Sequence, residues 1–248
     1  HGFPECWYSW RHKLAALAPR FRVVAPDLRG YNHSEKPRGV QAYAMSELVA
    51  DVRGLIHAFG EREAVIVGHD WGGGVAWSFA MEHPEATRRL VVMNCPHPAI
   101  FTRHLRDNPR QLARSWYMFF FQIPWLPETL LGLRNAFPVE RALKQSVVRQ
   151  DAFTPEDFRV LRDAASQPGA LRSAINYYRA AFRGPDATAS WPNWLRRFFY
   201  GDRPVPAARI DLDLQAVRPI RLLDVAADVE AAVALERLEL EADVEIFV

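Results

Sequence analysis

The chain has 248 residues, 49% of them hydrophobic and 24% charged, enough for one large globular unit with a sizeable core. Lys and Arg number 31 against 29 Asp and Glu, and a formal charge of +2 supplies no electrostatic reason for a nucleic-acid or anionic-membrane partner. No run approaches the roughly 18 apolar residues of a membrane span, and the two cysteines, Cys6 and Cys95, lie far apart in no metal-ligand spacing.

In chain order, His1 to Glu5 reads as a tight turn, and Trp7 to Leu17 carries apolar residues at helical spacing. Phe21 to Ala25 is a short β-rich strand ending in Pro26-Asp27, and the loop from Asp27 to Pro37 is rich in turn formers. Met45 to Phe59 is an amphipathic helix with Leu48, Val52, Leu55, Ile56 and Phe59 on one face, capped by Gly60. A β-branched strand, Val65-Ile66-Val67, then runs into Gly68-His69-Asp70-Trp71-Gly72-Gly73-Gly74, with the next helix expected to begin near Val75 and to end at His83-Pro84. The strand Leu90 to Met93 follows. Strands alternating with helices call for a parallel sheet covered on both faces.

At Asn94-Cys95-Pro96-His97-Pro98 the alternation stops. The pattern predicts a core over residues 1–98, an all-helical insertion over 99–183 and an uncertain return to the core over 184–248. The greasiest segment of the insertion, Trp116 to Leu126, is broken by Gln122 and Pro124 and reads as ordinary core. Residues 211–248 hold ten acidic residues against three arginines. Within the last part, Ile220 to Leu223 reads as a strand, Val225 to Leu235 as a helix and Val244 to Val248 as a closing strand.

The stretch Gly68 to Gly72 has the form Gly-x-nucleophile-x-Gly, in which a strained strand-to-helix turn pushes one reactive side chain clear of the sheet. Here that residue is Asp70, so the implied chemistry is carboxylate attack on carbon. Four motifs in order, HGFP at His1 to Pro4, DLRGY at Asp27 to Tyr31, GHDWGG at Gly68 to Gly73 and NxPHP at Asn94 to Pro98, resemble the epoxide hydrolases of the α/β-hydrolase fold. The resemblance covers roughly residues 1 to 183. It implies a mainly parallel sheet flanked by helices, with a helical cap inserted after the strand that follows the elbow.

The resemblance also implies roles. Asp70 would form an alkyl-enzyme ester with a small hydrophobic epoxide, and the backbone N–H groups of Phe3 and Trp71 would hold the oxyanion formed when water attacks that ester. Tyr117, before Phe121-Gln122, and Tyr178, before Arg179, match the two cap tyrosines that polarise the epoxide oxygen. No metal or other cofactor is implied, and the partners are the epoxide and water. Asp27 and Arg29 read as a loop-stabilising ion pair, His33 as exposed, and His69 as a packed or hydrogen-bonded histidine beside the elbow. His97 and His104 have no metal-like spacing. The cysteine usage and the lack of a signal peptide at the start set the expectation of a cytoplasmic protein.

The pattern departs from the family after the insertion. The last of eight histidines is His104, so no late histidine is available as general base. The acid is matched only by an echo, Asp228, with Tyr200-Gly201-Asp202 a poorer one. The chain therefore reads as lacking leading strands and the C-terminal histidine segment, either because it is truncated at both ends or because the tail after about residue 185 has lost the family sequence, and as able to begin the reaction without finishing it. The alternatives are a haloalkane dehalogenase-like hydrolase, which would use the same aspartate without the tyrosine pair, and a non-catalytic remnant binding apolar ligands.

Overall fold

The computed structural model describes residues 1–183, 223–224 and 245–247. Five strands form one sheet in the order β1-β5-β2-β3-β4: β1 (Arg22–Val24), β2 (Ala64–His69), β3 (Thr87–Met93), β4 (Leu223–Asp224) and β5 (Glu245–Phe247). Every pairing is parallel. The residues of β2 are buried on both faces, as a strand sandwiched between helices requires.

The two-residue period divides that strand. Val65 and Val67 join Trp10, Leu17, Phe21 and Met93 on one face, against α1 (Arg11–Leu17). Ala64 and Ile66 join Val49, Ile56 and Phe79 on the other, against α2 (Met45–Ala58) and α3 (Trp71–Glu82). Each fully buried Val, Ile, Leu or Phe contributes about 1.5–3 kcal/mol relative to exposure.

Several expectations shift in detail. The helix expected over Trp7 to Leu17 is split, a 3₁₀ turn at Trp7–Trp10 leading into α1. On α2 Leu48 and Ile56 are buried as expected and Val49 joins them, whereas Phe59, beyond the last turn, is exposed under the Arg22 guanidinium. Helix α3 starts at Trp71, four residues before Val75, so Gly72 to Gly74 lie inside it. These glycines are there for close approach: a Cβ on Gly72 would strike the His1 backbone, and one on Gly73 would strike the Cys95 side chain.

Of the strand expected at Ile220 to Leu223, Leu223 falls in β4, beside β3, and residues 220–222 lie outside the described residues. The closing strand is seen as β5, in the interior of the sheet between β1 and β2. Asp228, the helix expected over Val225 to Leu235 and the echo at Tyr200 to Asp202 lie outside the described residues.

After β3 the chain is helical as far as Arg183: α4 (Pro98–Asp107), α5 (Pro109–Arg114), α6 (Trp116–Phe120), α7 (Leu126–Ser146), α8 (Pro155–Ser166) and α9 (Ala170–Arg183). Left-handed backbone at Arg134, Asn135 and Ala136 interrupts α7. A capping box, Thr154 with Asp157, starts α8. Asp157 also accepts from the Tyr8 hydroxyl at 2.9 Å and pairs with Arg11 at 3.0 Å, which ties α8 to the α1 region. Among the described residues no helix is long and apolar enough to cross a membrane.

Candidate active site

Asp70 leaves β2 with φ 51° and ψ −119° and is the N-cap of α3. A non-glycine residue rarely takes a positive φ, and this one turns its carboxylate away from the sheet toward the His1–Glu5 turn. The Phe3 N–H donates to Asp70 Oδ1 at 2.9 Å. A Cβ on Gly2 would collide with the same carboxylate, so the second residue of the turn has to be glycine. Trp71 follows as the first residue of α3, where a backbone N–H has no partner within the helix. Of the two amides named from the sequence, that of Phe3 meets the Asp70 carboxylate, and that of Trp71 belongs to the residue after it.

The turn is itself clamped. His1 is buried, its Nε2 accepts from the Leu28 N–H at 2.9 Å, and its ring meets Tyr31 edge-on at 4.9 Å. The carbonyl of His1 accepts from the Gly72 N–H at 3.0 Å, linking turn and elbow directly.

The expected ion pair between Asp27 and Arg29 is not formed. Arg29 reaches Asp51 on α2 through two hydrogen bonds, at 2.7 and 2.5 Å. Asp27 accepts instead from the Trp7 N–H and the Asn32 amide, each at 2.9 Å. A fork-shaped guanidinium is better satisfied by a carboxylate it can meet with two parallel bonds, and sequence neighbours in a tight loop do not offer that geometry. His33 is exposed, and His97 caps α4 by accepting from the Ala99 N–H at 3.3 Å.

Two tyrosines come together above the elbow. Consecutive residues on a helix point about 100° apart, and α9 sends Tyr177 and Tyr178 to different places. Tyr177 is buried against Tyr31, Tyr43 and Trp71, with its hydroxyl donating to the Arg29 carbonyl at 2.7 Å. Tyr178 packs edge-on against Trp71 at 5.0 Å, Phe3 at 5.7 Å and Tyr117 of α6 at 5.9 Å. Burial, the Asp70 charge and the neighbouring Tyr117 push the Tyr178 phenol well above 10, and burial and Asp70 raise Tyr117 as well. Both are protonated donors at neutral pH.

Arg179, the next residue, has a structural task. It donates to the carbonyls of Phe121 and Ile123 at 2.9 and 2.8 Å and pairs with Glu128. Gln122 adds hydrogen bonds to the Met118 and Tyr178 carbonyls. The segment carrying Tyr117 is thereby fixed to the helix carrying Tyr178.

Sequence reasoning treated His69 singly and missed the pair it makes. Its Nδ1 lies 3.6 Å from Glu5 Oε2, and its Nε2 lies 3.4 Å from the Asn94 amide. The signal was available in the fifth position of the HGFPE turn, a carboxylate two residues after Phe3. A cavity of about 880 Å³ is lined by His1, Leu28, Arg29, Asp51 and Ile66 among others. None of Asp70, Tyr117 and Tyr178 lines it, so the chemistry marks the site and the volume does not.

Residues 1–133 match the family model described as alpha/beta hydrolase fold. Epoxide hydrolase 4 of Mus musculus is 42% identical over 190 residues, covering 73% of this chain and 52% of that protein. An AB hydrolase superfamily protein of Bacillus subtilis is 40% identical, over 74% of this chain and 64% of the relative. The crystal structure of Bacillus megaterium epoxide hydrolase with an inhibitor superposes with a TM-score of 0.70 at 35% identity, covering 76% of this chain and 66% of that one. The chain spans about half the length of the mouse relative. With its parallel sheet, its strained elbow and a family match over more than half its length, the chain belongs to the α/β-hydrolase fold family.

Proposed function

We propose that the protein opens small hydrophobic epoxides by attack of Asp70 on a ring carbon, leaving a hydroxyalkyl ester on that side chain, as the first half of hydrolysis to a vicinal diol. The observation that carries this reading is the Phe3 N–H donating to the Asp70 carboxylate at 2.9 Å, with Tyr178 packed edge-on against Phe3, Trp71 and Tyr117 beside it. The similarity to proteins named epoxide hydrolases supports the same substrate class.

An epoxide oxygen becomes an alkoxide as the ring opens, and a hydrogen bond or proton from Tyr117 and Tyr178 stabilises it in the transition state. The amides of Phe3 and Trp71 serve the later oxyanion on the ester. The helical region 99–183 acts as the cap, and its aromatic lining keeps bulk water from the reacting atoms. Two free cysteines fit a reducing, cytoplasmic setting.

The halide alternative would use the same carboxylate without a tyrosine pair, and the packing of Tyr117 against Tyr178, itself edge-on to Trp71, favours the epoxide. Incubation with styrene oxide and with 1-chlorobutane, read as diol and halide release and as adduct mass on Asp70, tests the assignment. An adduct from the epoxide alone is the expected result. An adduct or halide release from the chloroalkane alone overturns it.

A further inference from the structure

We propose that the outer face of the helical insertion, from α4 to Trp125, seats the protein on anionic lipid surfaces.

The whole-chain charge of +2 is not evenly spread. From Pro98 to Trp125 the charged side chains are Arg103, Arg106, Arg110 and Arg114 against Asp107, all of them exposed, a local charge of 4 − 1 = +3. The next acid, Glu128, is spent on the buried Arg179. Helical period sorts these residues. On α4, Phe101 and Leu105 stand four apart and pack against the cluster of Met118, Phe121 and Tyr178, which leaves Arg103 and Arg106 on the outside. On α5, Arg110 and Arg114 are likewise one turn apart and exposed. Neither helix holds a fully buried residue.

Apolar groups continue from the end of this basic row. Trp116 opens α6 just after α5 and is 64% exposed, with its ring 5.9 Å from that of Phe120. Trp125, in the turn before α7, is 72% exposed. They are the two most exposed aromatic side chains among the described residues, and Ile123 between them in the chain is exposed as well. Indole side chains collect where hydrocarbon meets water, because the ring is apolar and its N–H seeks a partner. Four arginines beside them supply the other half of the match. A charged lipid surface meets both demands at once: headgroup phosphates and carboxylates take the guanidiniums, and the boundary below them takes the indoles. Such a seat would serve apolar substrates, which concentrate in lipid, and it stands whether or not Asp70 is the nucleophile.

The test is flotation of the full chain with vesicles of phosphatidylcholine alone and of phosphatidylcholine mixed with phosphatidylserine. Binding should appear with phosphatidylserine, fall on the order of 10-fold without it, and weaken as salt screens the arginines. Arg110→Glu/Arg114→Glu should lose on the order of 10-fold or more. Trp116→Ser/Trp125→Ser should lose most of the quenching of tryptophan fluorescence by brominated acyl chains. Arg20 and Arg62 provide a charge-matched control, since both are exposed ahead of parallel strands β1 and β2, at the end of the sheet opposite Asp70. Arg20→Glu/Arg62→Glu should bind as the wild type does. An equal loss in that control ascribes binding to net charge and overturns the assignment. Wild-type binding that is absent, or indifferent to phosphatidylserine, overturns it without any variant and so holds even if a substitution prevents folding. A dimer in analytical ultracentrifugation that Trp116→Ser/Trp125→Ser dissociates would give the face to a second copy of the chain and overturn it too.

Discussion

Asp70 is held in a backbone region that costs a non-glycine residue about 1–3 kcal/mol. The surroundings over-determine it: the Phe3 amide, the backbone link from Gly72 to His1, and the bare Cα of Gly2 leave the side chain one direction to take. Gly2→Ala should therefore abolish alkylation, as Asp70→Asn does, because its methyl needs the space of the carboxylate. Intact-mass measurement of the two variants checks this. On the proposed reading, the two adjacent tyrosines of α9 separate chemistry from packing. Tyr178→Phe should slow adduct formation by about 100-fold, the scale of one positioned proton donor. Tyr177→Phe should cost about 1 kcal/mol in denaturant unfolding by losing its bond to the Arg29 carbonyl, with alkylation unchanged. The choice of Tyr178 rather than Tyr177 rested on the following arginine, and Arg179 fixes α9 in the rotation that packs residue 178 against Trp71, Phe3 and Tyr117.

Between elements, that arginine is the principal tie. Its guanidinium is buried, and three groups on the segment from Phe121 to Glu128 depend on it. Arg179→Ala leaves the partly buried Glu128 carboxylate without its partner and should destabilise the protein by about 3–5 kcal/mol. Denaturant unfolding followed by tryptophan fluorescence measures this. The pair of Glu5 and His69 makes a smaller, pH-dependent contribution between the first turn and the end of β2. Burial raises Glu5, but the bond and charge of His69 outweigh it and hold it below 4.5, while His69 is raised above 6.5. The carboxylate's share is present above 4.5 and is lost as pH falls through its lowered value. The imidazolium's share is present below 6.5 and is lost as pH rises through its raised value. Unfolding free energy should thus be greatest between those limits and flatter with pH in Glu5→Gln.

Element types were readable from period and punctuation: β2 from its β-branched run, α2 from its apolar face, and the helical region after Pro98 from the end of the strand-helix alternation. Exact starts were not. The glycines after Asp70 read as a loop because glycine favours turns, yet they lie in a helix whose neighbours leave no room for a Cβ. Long-range partners were less legible still. Asp27 and Arg29 looked paired because they are close in sequence, but each found a better-placed group elsewhere in the fold.

At the scale of the molecule, the sheet depends on both ends of the chain. β5, formed by residues 245–247, lies between β1 and β2, with Ile246 opposite both Val23 and Val65. Sequence order could not reveal this, since a closing strand can pair at any free edge. Without it, β1 and β2 would each present an unpaired row of backbone groups. Deleting residues 241–248 should accelerate amide exchange at Val65 and Ile66, the interior of β2, well before it affects α8. Hydrogen-exchange mass spectrometry reads the two regions together.

All of this serves one claim, that Asp70 is a carbon-directed nucleophile presented by the fold. Intact-mass and peptide-mapping analysis of the full chain after incubation with styrene oxide tests it most directly. One equivalent of adduct, mapped to Asp70 and absent in Asp70→Asn, is the predicted result; no adduct, or modification that persists in Asp70→Asn, would contradict it.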